Sequence, residues 1–123
     1  MDTFESWLLV ASFDYGSAKI LYKEKQYPSV IIYHCQQCVE KVLKALWLKH
    51  GLKIKYTHDL RELLGPLLEK ETWLSEFVDG IIEMTMDIKR LRYPSDDQFT
   101  LDDAMPCMIC CELLFQKAKA LNS

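Results

Sequence analysis

The segment Tyr27–Gly51, YPSVIIYHCQQCVEKVLKALWLKHG, is the longest in this 123-residue chain whose apolar residues keep helical spacing. Ile31, Cys35, Cys38, Val42, Ala45 and Leu46 fall on one stripe, and Gln36, Gln37, Glu40, Lys41 and Lys44 lie largely off it. Pro28 suits a first helical turn, where its missing N–H has no intrahelical acceptor to serve, and Gly51 stands where a left-handed cap would end the helix. Val30, Ile32, Val39, Leu43 and Trp47 widen the stripe over much of the circumference. The spacing therefore predicts a helix of about six turns that touches neighbours on several sides, the central helix of a bundle.

Upstream, Phe4, Leu8, Ala11, Tyr15, Ala18 and Tyr22 repeat at alternating spacings of four and three, which predicts a helix capped by Asp2 or Thr3. The short run Lys23–Gln26 makes these two helices antiparallel neighbours, and Gly16 would allow close approach of another backbone. Downstream, Leu52–Tyr56 alternates weakly, but a lone strand has nothing to pair with, so it is read as loop. Thr57-His58-Asp59 opens a short leucine-rich helix with Thr57 or Asp59 as N-cap and His58 as a local hydrogen-bonding residue; Gly65-Pro66 kinks or ends it. Another helix starts at Thr72 and runs to Leu91, before Pro94 forces Tyr93 out of helical geometry. Thr100, or the pair Asp102-Asp103, caps a last helix in which Pro106 must sit early. The expected fold is all-α: an up-and-down four-helix bundle with one additional short helix, formed by one domain over residues 1–123.

Fifteen basic residues are interspersed with 18 acidic ones, for a net charge of −3, so no general field draws in nucleic acid. No run of about 18 apolar residues is free of charge, and MDTFESW lacks the basic start of a signal peptide; a cytoplasmic protein with no membrane association is expected. Cys35-x-x-Cys38 and Cys107-x-x-Cys110 have the outline of a four-thiolate zinc site. Both pairs lie inside apolar helical stretches without the glycine-bearing turns that let thiolates converge, so they are read as core residues, with no metal and no cofactor expected.

The order of these signals resembles the HEPN domain family over nearly the whole chain. Asp14, Ala18 and Leu21 precede a Tyr-Pro turn. The second helix carries Gln36-Gln37-Cys38-Val39-Glu40-Lys41-Val42-Leu43-Lys44-Ala45-Leu46, similar to the family's glutamine, Glu-Lys and Lys-Ala-Leu pattern. Thr57-His58-Asp59-Leu60 and Arg92-Tyr93-Pro94 follow. The resemblance implies a helical bundle, commonly a homodimer, whose members include metal-independent endoribonucleases and non-catalytic partners of nucleotidyltransferases. The ribonuclease members have an arginine followed, after four to six intervening residues, by a histidine near the start of the last helix. Arg92 matches the arginine, but the window holds Asp97, Gln98 and Phe99; from Arg90 it holds Ser95, Asp96 and Asp97.

Cleaving RNA without metal needs one group to take the 2′-hydroxyl proton and another to protonate the leaving oxygen, work suited to imidazole and not to guanidinium. His34 or His58 would serve only if folding or dimerisation brought it to Arg92. His50 reads as a favourable charge at the end of its helix. The first expectation is accordingly a non-catalytic nucleotide-binding or protein-interaction module, partner of a separate nucleotidyltransferase chain in a toxin–antitoxin type pair. Its candidate ligand- or partner-binding residues are Arg92, Arg90, Tyr93, His58 and Lys41, with no catalytic residue. Arg92 reads equally as a clamp on the Asp96-Asp97 loop, and Glu40, Lys41 and Lys44 as a solvated face or an intrabundle ion pair. The alternatives are a toxin-like endoribonuclease with a displaced acid/base, and a purely structural dimer.

Overall fold

The computed structural model describes residues 2–90 and 99–121, the side chains of 88–90 excepted. Four long helices, α1 (Phe4–Lys23), α2 (Pro28–Lys49), α4 (Val78–Arg90) and α5 (Leu101–Ala120), form an up-and-down bundle, and a short helix α3 (Leu60–Leu64) lies between α2 and α4. Two 3₁₀ turns, Gly65–Leu67 and Thr72–Phe77, complete the chain between α3 and α4. Among the described residues there is no strand, and no helix is long and apolar enough to cross a membrane.

As its sequence requires, α2 is the hub and packs against α1, α3, α4 and α5. Ile31, Ile32, Cys35, Val39, Val42, Leu43, Ala45 and Leu46 are fully buried, which spreads its apolar surface over most of its circumference. Small residues set how closely α1 lies on it: Ala11 and Ala18 have no exposed surface. The close contact of a glycine occurs elsewhere in the fold than Gly16. Among the described residues nothing beyond its own helix comes within 4 Å of a Cβ built at Gly16, whereas at Gly80 in α4 a Cβ would stand 3.1 Å from Cys110 Sγ in α5.

The helix ends follow from local chemistry. Thr3 and Thr100 each form a capping box, with Ser6 and Asp103 respectively, which settles the N-caps of α1 and α5. At the end of α2, Gly51 adopts φ +70°, its N–H donating to the Leu48 carbonyl (3.0 Å) and the Leu52 N–H to that of Trp47 (2.8 Å). This is the Schellman arrangement, and it turns Leu52 back onto the core. The end of α1 repeats it with a lysine: Lys25, at φ +55°, donates to Tyr22 (3.1 Å) and Gln26 to Leu21 (3.0 Å). Pro106 lies in the second turn of α5, where it removes one backbone donor without ending the helix.

The segment before α4 departs from expectation, since Thr72 opens a 3₁₀ turn and α-helical geometry begins only at Val78. The physical reason is Glu71, whose buried carboxylate is taken by other partners and so does not cap a helix start. It accepts from Lys49 Nζ (2.7 Å), His50 Nε2 (2.9 Å) and Trp73 Nε1 (2.7 Å), fastening the end of α2 to this segment. His50 thus has a carboxylate partner in addition to its place at a helix C-terminus. Burial pushes the Glu71 carboxyl up, but the three hydrogen bonds outweigh it and hold the group below the usual carboxylate range. Trp47 Nε1 donates to the Leu63 carbonyl (2.6 Å) and ties α2 to α3.

Two measurements test these ends. Gly51→Ala should lower stability by about 1 kcal/mol in chemical denaturation, because an L-residue is strained at this φ, while Lys25→Gly should raise it by a few tenths to about 1 kcal/mol. A carboxyl with a depressed folded-state pKa stabilises the protein above its unfolded value, and that contribution is lost as pH falls through the folded value. Glu71→Gln should therefore reduce stability at neutral pH and leave an acid limb shallower than that of wild type.

Candidate functional site

Along the α1–α2 contact, polar residues of α2 recur at helical spacing, His34, Gln37, Lys41 and Lys44, so they form one face. On α1, Asp14 sits between the buried Ala11 and Ala18 and is itself buried. A carboxylate taken from water at such a place must be paired. Asp14 Oδ1 meets His34 Nδ1 at 2.9 Å and Oδ2 accepts from Lys41 Nζ at 2.5 Å. With a carboxylate as its partner, His34 Nδ1 is the donor of this bond, and Nε2 takes no part in it.

One turn further on, Glu40 is only 5% exposed and serves two partners in the same way. Its Oε2 accepts from Lys44 Nζ (3.1 Å) within the helix, and Oε1 meets His58 Nδ1 (3.1 Å) from the segment ahead of α3. The ammonium of Lys44 is buried and lies 5.4 Å from the centre of the Trp7 ring, so it meets an aromatic face in place of water. His58, by contrast, keeps 75% of its side chain exposed. Its partner is 18 residues away in sequence, so the expectation of a local hydrogen bond gives way to a tie across elements. Locally, Asp59 is the N-cap of α3, accepting from the Arg61 N–H (3.0 Å), and Thr57 Oγ1 accepts from the Asp59 N–H (3.0 Å).

Of the residues singled out from sequence, Lys41 and His58 are thus held by buried carboxylates contributed by neighbouring positions, Asp14 and Glu40. Arg92 and Tyr93, together with the side chain of Arg90, lie outside the described residues. Glu40 and Lys44 form the intrabundle ion pair, not a solvated face. Asp14 and His34 were not among the binding residues chosen from sequence. The signal that marks them is a charge set inside an apolar stripe, Asp14 between two core alanines.

Both Cys-x-x-Cys pairs lie inside helices, in α2 and α5, and all five thiols are free. Cys35 Sγ is 3.5 Å from Met108 Sδ. Burial pushes the Cys107 thiol up to about 12 and the Cys110 thiol to about 11, and Cys111 is raised by hydrogen bonds with Cys35 and Cys38 and by burial. These thiols stay protonated and pack as small apolar groups. Among the described residues no set of three or more His, Cys, Asp or Glu is gathered in a form that could hold a metal ion.

A second feature lies between α4 and the start of α5, a cleft of about 220 Å³ whose lining includes Glu83, Asp87, Asp102, Asp103 and Phe99. Glu83 and Asp87 come from α4 and Asp102 and Asp103 from the first turn of α5, where Asp103 is engaged by Thr100 in the capping box.

The model of the HEPN domain family matches residues 4–121. The crystal structure of ST0689, an archaeal HEPN homologue, superposes with a TM-score of 0.77 over 100% of each chain at 22% sequence identity, a likeness of fold. No curated protein is significantly similar to the chain.

The Glu40–Lys44 pair is buried enough to test by a double-mutant cycle. Glu40→Leu alone should destabilise by about 3 kcal/mol, because it strands the Lys44 ammonium, whereas Glu40→Leu with Lys44→Met should recover most of that loss. Equilibrium urea unfolding of the four proteins measures the coupling.

Proposed function

Because the chain belongs to the HEPN domain family, we propose that it is a non-catalytic member: a single domain over residues 1–123 that works as a homodimeric interaction module, partner to a separate nucleotidyltransferase chain in a toxin–antitoxin type pair. Arg92, assisted by Arg90 and positioned by Tyr93-Pro94, is its anchor for a phosphate of a nucleotide or RNA, or for a partner carboxylate. Lys41 and His58 border a second contact face on α2. The reading needs no metal or cofactor, and five free thiols suit a reducing, cytoplasmic setting.

The observation that carries this reading is Phe99. It occupies one of the three positions where the ribonuclease members of the family would have their histidine, and it lines the cleft at the start of α5 among four carboxylates. A benzyl ring moves no proton, so this position supplies no general acid or base. The imidazoles on α2 add support: His34 and His58 are each bound through Nδ1 to a buried carboxylate. The alternative, an endoribonuclease with a displaced acid/base, draws on the same Asp14–His34 pair, since a carboxylate held on Nδ1 orients the ring and leaves Nε2 for proton transfer.

The test is one protein set in two assays. Wild type should cleave a mixed RNA pool no faster than Arg92→Ala, while the alanine variant, with unchanged helicity, should bind the cognate nucleotidyltransferase about 10- to 100-fold more weakly, as expected for a lost charge-assisted contact. Arg92→Lys should recover part of the binding, since a point charge does not reproduce a planar two-pronged contact. RNA cleavage abolished by Arg92→Ala and by His34→Ala would replace this reading with the ribonuclease.

A further inference from the structure

The outer face of α1 carries an apolar stripe that nothing among the described residues covers. Leu9, Phe13 and Ile20 are 58%, 61% and 65% exposed, and with Gly16 they repeat at spacings of four, three and four, the seam of a two-heptad coiled coil. Gly16 is the anomaly in this seam. An interior glycine weakens a helix relative to alanine, and no contact among the described residues requires one, since nothing of them beyond its own helix lies within 4 Å of a Cβ placed there. The result is a gap in the stripe, one turn from the exposed ring of Phe13.

We infer that this face is where a second copy of the chain docks, α1 lying antiparallel on α1 about a two-fold axis between residues 14 and 15, with Phe13 of each copy filling the gap at Gly16 of the other. The pairing is self-complementary, as a two-fold interface must be. Residue 13 opposes 16 and residue 9 opposes 20, so each apolar side chain of one copy meets the seam of the other. Charge supports the antiparallel sense. The first turn of α1 carries Glu5, with Asp2 just ahead of the helix, and its last turns carry Lys19 and Lys23, followed by Glu24 and Lys25. In this register Glu5 of one copy comes within one residue of the level of Lys23 on the same flank of the other, while Glu24, directly at its level, lies on the opposite flank of the seam. Neither charge is explained within the chain by the other, since 18 helical residues separate them by about 27 Å.

Area is also adequate. Next to α1, α5 exposes Met105, Ile109 and Leu113, and the two helices share a cleft of about 340 Å³ lined in part by Tyr22, Lys23, Met105 and Ile109. Six large side chains, each about half exposed, offer about 600 Å² of apolar surface per copy, close to the roughly 800 Å² per partner of a standard stable interface once the flanking polar groups are added.

This inference rests on the homodimer of the proposed function and assigns its surface. Sedimentation equilibrium at about 50 µM, where an interface with a Kd near 1 µM is saturated, should find wild type dimeric. Phe13→Asp and Gly16→Leu, both at solvent-facing positions, should each weaken dimerisation at least tenfold with helical circular dichroism retained. Glu5→Lys should weaken it several-fold, and adding Lys23→Glu in the same chain should restore it, because the two charges meet only across copies. A wild type that is monomeric at this concentration overturns both the surface and the dimer. A wild-type dimer unaffected by Phe13→Asp and Gly16→Leu overturns the surface and leaves the dimer standing. Failure of Lys23→Glu to rescue Glu5→Lys overturns the antiparallel register.

Discussion

Helix α2 is buried around nearly its whole circumference, and this constrains the structure more than any other feature. A helix so placed has only a narrow, partly solvated side for its polar residues, so those that are buried must find a partner or be lost from the sequence. The partners come from different elements: Asp14 of α1 for His34 and Lys41, His58 ahead of α3 for Glu40, the Leu63 carbonyl of α3 for Trp47, and Glu71 ahead of α4 for Lys49 and His50. Apolar packing alone tolerates sliding of one helix along another, because a leucine accepts several neighbours. A carboxylate that must meet two nitrogens at hydrogen-bonding distance does not, and these ties therefore fix how each element is set along α2.

The same constraint explains what could be read from the sequence and what could not. Helix positions, order and class were legible, because the periodicity of the apolar residues and the capping chemistry at Thr3, Gly51 and Thr100 are local properties. Glu40 and Lys44 were set off the apolar stripe by counting, but neighbours reach past that stripe, and only the packing shows both side chains buried. The 3₁₀ turn at Thr72 escaped for a related reason: Glu71 is bound by residues more than 20 positions upstream, a tie that no local window contains. Gly16 and Gly80 were indistinguishable in sequence, since what separates them is a neighbouring Cys110 side chain. Of the candidate site, Lys41 and His58 were found, but their carboxylate partners were not assigned to them, and Arg90, Arg92 and Tyr93 belong to a stretch whose side chains lie outside the described residues.

Electrostatics divides the molecule into regions with different capacities. The cleft at the start of α5 has carboxylates on both α4 and α5, while the basic groups on the α2 face are neutralised one by one by buried acids. Neither arrangement forms the concentrated positive surface on which nucleic-acid binding without base recognition depends. Of the two regions, the α2 face is the one that leaves a ring, His58, largely exposed beside its carboxylate.

Carboxylate–imidazole pairs in a domain read as non-catalytic have a structural account. Asp14 and Glu40 occupy positions where an ion is costly to bury, and each is shared between a lysine and a histidine, so its lone pairs are distributed over two donors in place of water. Removing the histidine would leave an oxygen without its donor, and removing the lysine would leave the carboxylate without a permanent positive charge. The imidazoles are in that sense part of the same framework that sets α1 and α3 on α2. Their geometry is also what a general base requires, which is why the presence of an oriented histidine does not by itself distinguish a scaffold from an active site. The distinction lies in what stands next to it: a base needs a phosphate-binding cation free to hold substrate, and Lys41 and Lys44, the lysines paired on this face, are each committed to the carboxylate that orients the ring.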